Sequence, residues 1–297
     1  MAETDEFEAH RDHLLGVAYR MLGSRAEAED AVQEAWLRYA TGRPDELADP
    51  RGWLTTVTAR ICLDVLRSAR VRRESYVGQW LPEPVVSRLP ADEPDPADRV
   101  ARTEEVSLAL LLVLDRLTPE QRVAFVLHDV FAVPFEEVAA VLGTTAAAAR
   151  QLASRGRRAV AGGTLRHDRD RAEQQRVLVA FLAAAERGDI DGLLAVLAPE
   201  VIVIGDGGGV GQAAREPITG GLRVARFLLN LYRQTRRAGV LSGPVLVNGD
   251  LGMLVELPAP DGSDQRVVCA FAVADGRITG VFNQLNPAKL TRVPGLR

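Results

Sequence analysis

Cysteine is scarce in this chain of 297 residues, which contains only Cys62 and Cys269. The patterns described below place these two residues in different domains. A disulfide or a cysteine zinc site is therefore not expected, and the sequence predicts no metal site. Both cysteines are expected to be small core residues. Their scarcity argues against the disulfide-stapled and zinc-finger classes of protein.

Long apolar runs are also missing, since no stretch reaches the ~18 apolar residues of a membrane-spanning helix. The chain starts MAETDEFEAH, which is acidic and lacks the basic-then-apolar order of a signal peptide. We therefore expect a cytoplasmic protein that does not contact the membrane.

Lysine is nearly absent, because only Lys289 among the 36 basic residues is a lysine. The preference for arginine is typical of codon bias and is not by itself a phosphate signal. The net charge of -4 argues against a nonspecific nucleic-acid coat, which is usually basic overall. Two stretches, 60–73 and 150–166, nevertheless hold five arginines each, so basic patches occur in an acidic chain.

The segment 135–160 has the pattern of a helix-turn-helix. Gly143 suits the left-handed residue that ends a helix, and Thr144 or Thr145 can cap the next one. The second helix offers Leu152 and Val160 to a core and its polar side chains to a partner. Such a helix can donate hydrogen bonds to base edges and phosphates in a major groove. A solvated basic helix in an unrelated helical protein is the alternative.

Three helices are predicted before this motif, over 7–22, from Ser24 to about Tyr39, and over 51–73. Their apolar residues recur at helical spacing, and Ser24 with Glu27 forms a capping-box pattern. The polar face of the second helix would by itself most often be solvated. The run of proline and acid over 82–96 predicts an extended linker. Helices resume over 98–116 and after Thr118.

The pattern changes after residue 170. Two helices, over 171–187 and 190–197, precede five segments that read as strands bounded by Gly, Asn and Asp turns, and 225–232 adds another helix. The sequence therefore predicts an α+β arrangement of mostly antiparallel strands after an all-α first part.

Residues 5–162 resemble a bacterial sigma factor of the extracytoplasmic-function group, because two helical units, a proline-rich tether and a terminal helix-turn-helix occur in that order. The resemblance implies an alternative sigma factor that binds core RNA polymerase and promoter DNA. It implies a polymerase-binding face comprising Asp30, Gln33, Glu34 and Arg38. The residues implied to read the downstream promoter element are Trp53, Arg60, Arg67, Arg70 and Arg73. Those implied to read the upstream element are Arg150, Gln151, Ser154, Arg155 and Arg158.

Three further motifs, YVGQWLPEPV, DGGG and NPAKL, resemble the subgroup with a SnoaL-like C-terminal extension, whose cone-shaped fold is shared with nuclear transport factor and ketosteroid isomerase. The implied domains are sigma region 2 over 5–80, a linker over 81–97, sigma region 4 over 98–165 and a SnoaL-like regulatory domain over 170–297. The extension would act in cis by packing against the linker, and a small-molecule ligand within it stays open. The implied interdomain regulatory residues are Trp80, Leu81, Pro82, Asp206, Gly207, Asn286, Pro287 and Lys289.

The cone-shaped fold also hosts enzymes, so catalysis has to be weighed on the residues themselves. All four histidines precede this domain, which leaves few titratable groups for acid-base chemistry. Those candidates are Asp206, Glu216, Tyr232 and Glu256, with Asn230, Asn283 and Gln284 as neutral hydrogen-bonding groups. We expect no enzyme activity and no cofactor. A ligand-responsive helix-turn-helix regulator and an isomerase-like enzyme with an accessory helical domain are the competing hypotheses.

Overall fold

A computed structural model of the chain divides into two compact units. The first contains residues 1–75, 95–104 and 111–163, and the second contains 76–94, 105–110 and 164–297. Each unit is described by itself. The structure describes residues 2–42, 47–73, 76, 78–89, 106–162, 170–209, 213–237, 240–258 and 264–296.

The first unit begins with three helices, α1 (Ala2–Leu22), α2 (Arg25–Gly42) and α3 (Pro50–Arg73). Gly23, at φ +71°, ends α1, and the Ser24 hydroxyl accepts a hydrogen bond from the N–H of Glu27 at 3.4 Å. The apolar faces of the helices meet in a core, as their spacing predicts. The largest fully buried side chains there are Leu14, Met21, Leu22, Tyr39 and Leu54.

The rest of the first unit is also helical, and its next helix begins in residues 105–110, which are assigned to the second unit. Thr118 forms a capping box with Gln121 at the start of one helix, and the chain widens into a π-helical turn at its end. Of the helix predicted over 98–116, residues 98–105 lie outside the described part of the chain. Residues 106 and 107 are not helical, and a helix begins at Leu108, where the Ser107 hydroxyl accepts a hydrogen bond from the N–H of Leu110. The elements are α4 (Leu108–Asp115), α5 (Pro119–Phe125), the π turn (Val126–Val130), α6 (Phe135–Leu142) and α7 (Ala146–Ala161).

The second unit combines helices with a sheet that has seven strands in the described residues. The strand order is β1-β4-β5-β6-β7-β2-β3, and all neighbours are antiparallel except β2 and β7. The helices are α8 (Arg171–Arg187), α9 (Ile190–Val196) and α10 (Gly221–Arg237). The strands are β1 (Val86–Ser87), β2 (Leu197–Asp206), β3 (Ile218–Thr219), β4 (Leu241–Val247), β5 (Asp250–Pro258), β6 (Asp264–Ala274) and β7 (Arg277–Gln284).

The predicted fold class, helical domains followed by an α+β domain, is confirmed. Two details differ from the sequence prediction. The helix predicted over 225–232 is longer, because its apolar stripe continues over Gly221–Arg237. The short strand Val86–Ser87 lies within the predicted linker and pairs with β4, so this part of the tether belongs to the sheet.

The core of the second unit lies between its helices and the sheet. Phe181 from α8 and Phe271 from β6 pack with ring centroids 5.9 Å apart, and Val224 from α10 is fully buried beside them. Within the described part of the chain, no helix is both long and apolar enough to cross a membrane.

Candidate functional site

The second helix of the helix-turn-helix, α7, is positioned by its turn and by small residues on its buried face. Gly143 adopts φ +64°, and the Thr145 hydroxyl accepts a hydrogen bond from the N–H of Ala148 at 3.2 Å. The buried residues of α7 are Ala149, Ala153 and Gly156. A Cβ at Gly156 would lie 3.0 Å from the Cβ of Phe125, so glycine permits the close approach of α5.

The core side of α7 therefore differs from the prediction, which gave that role to Leu152 and Val160. Both side chains are only half-buried. A helix packed this closely against another leaves room for small residues at the contact and moves larger ones to its margins.

The polar side of α7 carries the residues assigned to the upstream element. Gln151, Arg155 and Arg158 are exposed, and Ser154 is half-buried. Arg150 lies 3.5 Å from a carboxylate oxygen of Glu136 and sits over the Phe135 ring. Exposed donors of this kind are available to a partner, as a groove-reading helix requires.

Two arginines assigned to the downstream element contact residues of 111–162 in the same unit, which we call the helix-turn-helix half. An Nη of Arg60 donates to the backbone oxygen of Ala140 at 2.9 Å, and Arg67 donates to the Glu120 carboxylate at 3.1 and 3.2 Å. In this conformation both guanidinium groups are engaged within the protein. The side chains of Arg70 and Arg73 lie outside the described residues.

Trp53, the aromatic residue of that set, is partly buried beside Tyr39, with ring centroids 5.9 Å apart. It belongs to an aromatic cluster of the first unit. The members are Phe7, Trp36, Tyr39 and Trp53.

The predicted polymerase-binding residues share one face of α2. Asp30, Gln33 and Arg38 are exposed, and Glu34 accepts a hydrogen bond from Arg38 at 3.0 Å. Leu37 lies on the same face and is 50% exposed. The sequence prediction did not single out this leucine.

Two buried arginines of the first unit were also missed. Arg122 is 3% exposed and donates to Asp115 at 2.7 Å and to the backbone oxygens of Leu114 and Met21 at 2.8 and 2.7 Å. Arg20 is equally buried, with its guanidinium 5.0 Å from the Phe131 ring centroid. They tie α1 to the helix-turn-helix half, and only tertiary packing distinguishes them from surface arginines.

In the second unit, the three motifs YVGQWLPEPV, DGGG and NPAKL meet at a buried carboxylate. Asp206 ends β2 and is 0% exposed. The Tyr76 hydroxyl donates to its Oδ1 at 2.6 Å, and the N–H of Leu81 donates to its Oδ2 at 2.9 Å. Lys289 lies 2.7 Å from the same Oδ2. We call this the Asp206 cluster, and its members are Tyr76, Leu81, Asp206, Gln284, Asn286 and Lys289.

Lys289, the single lysine of the chain, makes a second contact in the cluster. Its ammonium group donates to the backbone oxygen of Leu81 at 2.6 Å and lies 4.4 Å from the Trp80 ring centroid. Gln284 donates to the backbone oxygens of Leu81 and Pro82 at 3.4 and 3.3 Å. The linker backbone is thus bound at two successive carbonyl groups, which fixes both its position and its register.

Asn286 connects the two loops of the cluster. Its side-chain amide donates to the Tyr76 hydroxyl at 3.0 Å and accepts from the N–H of Ala288 at 3.0 Å. A Cβ at Gly208, which adopts φ +61°, would overlap the Asn286 amide. Glycine is therefore required at that point of DGGG. Gly207 is buried in this loop, whereas Pro287 is exposed in a 3-10 turn.

The electrostatics of the cluster favour an ionised carboxylate. Burial opposes the charge on Asp206, yet the Lys289 ammonium and the hydrogen bonds from Lys289, Tyr76 and Leu81 hold the pKa of Asp206 below its usual value. Burial and the neighbouring carboxylate raise the pKa of Tyr76, so its hydroxyl remains a donor. The arrangement is a closed, paired network and has no free base to offer for catalysis.

A second linker contact was missed because Asn248 reads as an ordinary turn residue in VLVNG. Its backbone N–H donates to the oxygen of Val85 at 2.7 Å, and its side chain accepts from the Val85 N–H at 3.1 Å. The same side chain donates to the oxygen of Val106 at 3.2 Å. Asn248 therefore holds the chain on either side of the segment 90–105.

The remaining acid-base candidates do not form a constellation. Glu216 is exposed, and Glu256 lies 3.4 Å from Arg266. Tyr232 and Asn283 line a cavity, which Asp206 does not. Among the described residues, His, Cys, Asp and Glu form no group of three that could hold a metal ion.

Comparison with known proteins covers nearly the whole chain. Residues 7–72 match the family described as Sigma-70 region 2, and residues 107–160 match Sigma-70, region 4. The chain is 47% identical to the ECF RNA polymerase sigma factor SigJ of Mycobacterium tuberculosis, over 98% of this chain and 94% of SigJ. It is 42% identical to the probable ECF RNA polymerase sigma factor SigI of that organism, over 66% of this chain and 67% of SigI. The crystal structure of SigJ matches with a TM-score of 0.79 and 44% identity, over 97% and 98% of the two chains.

Proposed function

This chain belongs to the extracytoplasmic-function family of RNA polymerase sigma factors, and we propose that it binds core RNA polymerase and directs promoter-specific initiation in the cytoplasm. Sigma factors are not enzymes, which agrees with the expectation of no catalysis. The observation that carries the proposal is the exposed face of α7, where Gln151, Arg155 and Arg158 project from a capped helix-turn-helix.

Each predicted site has a separate role in this proposal. The face of α2 that contains Asp30, Glu34 and the exposed Leu37 would bind the polymerase. Residues of α3 would bind the downstream promoter element, and α7 would bind the upstream element as a duplex. Arg60 and Arg67 contact the helix-turn-helix half here. Promoter binding would therefore require these contacts to be replaced by contacts with DNA phosphate groups.

We propose further that the domain over 170–297 regulates the sigma regions over 5–80 and 98–165 in cis. The Asp206 cluster binds the linker through Leu81 and Pro82, and Asn248 binds it through Val85. A linker held in this way limits the separation that α3 and α7 can reach. Release of the cluster would therefore favour the open, polymerase-bound arrangement. A small-molecule ligand in the C-terminal domain would be an additional input to this equilibrium.

In vitro transcription tests the first proposal. Core polymerase and a library of genomic fragments would be incubated with the full chain or without it, and transcript ends would be mapped. We expect discrete starts that need this protein and share an upstream and a downstream element. A folded chain that binds core polymerase yet yields no specific starts would refute the role in initiation.

A further inference from the structure

The second unit contains a cavity of about 170 Å³ between helices α8 and α10 and strands β4 to β7. Its lining reaches from the exposed Ser242 to the buried Phe271, so the cavity is accessible from the surface. Most of the lining is aliphatic or aromatic, and no lining residue carries a formal charge. Apolar side chains that line the cavity are Phe181, Leu228, Met253, Val255, Phe271 and Val281.

Among the residues that line this cavity, Asn283 is the most buried polar one. Asn283 lies on β7 and is 6% exposed, yet its amide makes no hydrogen bond to any described residue. The described side-chain atoms that are both fully buried and unpaired belong to other residues, so the Asn283 amide is reached by water in the cavity. The next residue, Gln284, is equally buried and has several partners. A ligand that enters the cavity would replace that water at the amide.

We propose that this cavity binds a neutral, compact and largely apolar molecule of about one ring, whose carbonyl or hydroxyl group pairs with the Asn283 amide. A charged ligand would lose its hydration without finding a counter-charge in the lining. The volume is close to that of cavities of ~150 Å³ that take up benzene. The amide both donates and accepts, so it suits either a carbonyl or a hydroxyl group.

The position of Asn283 connects such a ligand to the linker, and this step rests on the cis-regulatory function proposed above. Asn283 is followed along β7 by Gln284, which donates to Leu81, Pro82 and Asp206. A molecule that orders the end of β7 would change the strength of those contacts. Its differential affinity for the linker-bound and linker-free states would set the size of the response.

Methionine-methyl NMR on the full chain tests the binding directly. The chain has three methionines, of which Met253 lines the cavity and Met21 is fully buried in the first unit. With 13C-labelled methyl groups, p-cresol, toluene and benzoate would be titrated separately. We expect p-cresol to shift the Met253 signal at the lowest concentration, toluene to shift it more weakly, and benzoate to leave it unchanged. The Met21 signal serves as the internal control.

The variant Asn283→Leu tests the polar contact. It removes the amide and keeps a side chain of similar size in an apolar lining, so the variant should remain folded. Its affinity for p-cresol should fall roughly three- to tenfold while its affinity for toluene is kept. Asn230→Leu, at an exposed position on α10, should leave both affinities unchanged.

Three results would overturn the proposal: no Met253 shift with p-cresol, a benzoate response as strong as that of p-cresol, or an unchanged p-cresol affinity in a folded Asn283→Leu. The wild-type titrations decide the first two even if the variant fails to fold. No polymerase or promoter is present, so a negative result here leaves the proposed role in transcription standing.

Discussion

The Asp206 cluster and the exposed face of α7 are both polar and charged, yet they differ in how their groups are paired. In the cluster, Asp206 is fully buried and accepts hydrogen bonds from Tyr76, Leu81 and Lys289. On α7, Gln151 and Arg155 project into solvent. A buried, paired network fixes the position of a segment, whereas an exposed array of donors is available to a partner. The first arrangement suits holding a linker, and the second suits reading DNA.

The largest effect is expected from Asp206→Ala, because it leaves the Lys289 ammonium buried without its carboxylate. The free energy of unfolding should fall by about 3 to 5 kcal/mol, as measured by urea unfolding of the full chain. Asp191→Ala, which removes an exposed carboxylate from α9, is the matched control and should change it by less than about 0.5 kcal/mol. Equal effects of the two substitutions would mean that the cluster does not hold the linker in solution.

The exposed face of α7 is tested by the double variant Gln151→Ala, Arg155→Ala. Both side chains are exposed, so stability should be unchanged while promoter affinity falls tenfold or more, since each base-edge contact is worth about 1 to 3 kcal/mol. The measurement is transcription and promoter binding by the reconstituted holoenzyme, with core-polymerase binding as a reference.

Arg157→Ala is the matched control on the same helix, because Arg157 is turned toward Asp129 at 2.6 Å. It should leave promoter affinity nearly unchanged. If it weakens the promoter as much as the double variant does, α7 would contribute only general positive charge.

A smaller effect is expected from His13, a half-buried titratable side chain on α1. Burial and the neighbouring Arg51 lower the pKa of His13 to about 4, while the imidazole lies 3.0 Å from the Thr55 hydroxyl. The pKa of His13 in the unfolded chain is roughly 6.5. At pH values between about 4 and that value, the unfolded chain binds more protons than the folded chain. Stability should therefore decrease as the pH falls through that window.

The slope should be smaller in His13→Gln, which keeps a hydrogen-bonding side chain without the titrating group. Urea unfolding midpoints at pH 7, 6 and 5 would measure this pH dependence. These pH values lie above the range in which Asp206 titrates, because its pKa is lowered. Identical slopes for the parent chain and the variant would show that His13 titrates normally in the folded state.

Much of the fold could be predicted from local patterns. Helical spacing and caps identified α1 to α3, and Gly143 with Thr145 marked the turn of the helix-turn-helix. Within the helix predicted over 98–116, the break at Ser107 was missed, because only the structure shows that its hydroxyl caps α4. Short motifs pointed to Asp206 and the loop of Asn286 before any contact was known.

What the sequence could not provide are contacts made by tertiary packing. Tyr76 begins the motif YVGQWLPEPV and Gln284 was named as a hydrogen-bonding group, yet only the folded chain places both beside Asp206. The arginines of α3 were predicted to contact DNA, and that role stays a prediction. No local pattern indicates that Arg60 and Arg67 are engaged by Ala140 and Glu120 in this conformation.

The most direct test of the central claim, a sigma factor whose linker is held by its own C-terminal domain, is in vitro transcription with Lys289→Met. This substitution removes the ammonium group that contacts Asp206 and Leu81, whereas Pro287→Ala changes an exposed residue of the same motif. Release of the linker predicts several-fold more transcript from Lys289→Met than from the parent chain, with Pro287→Ala at the parent level. Equal transcription from all three, each folded and bound to core polymerase, would contradict regulation in cis by the Asp206 cluster.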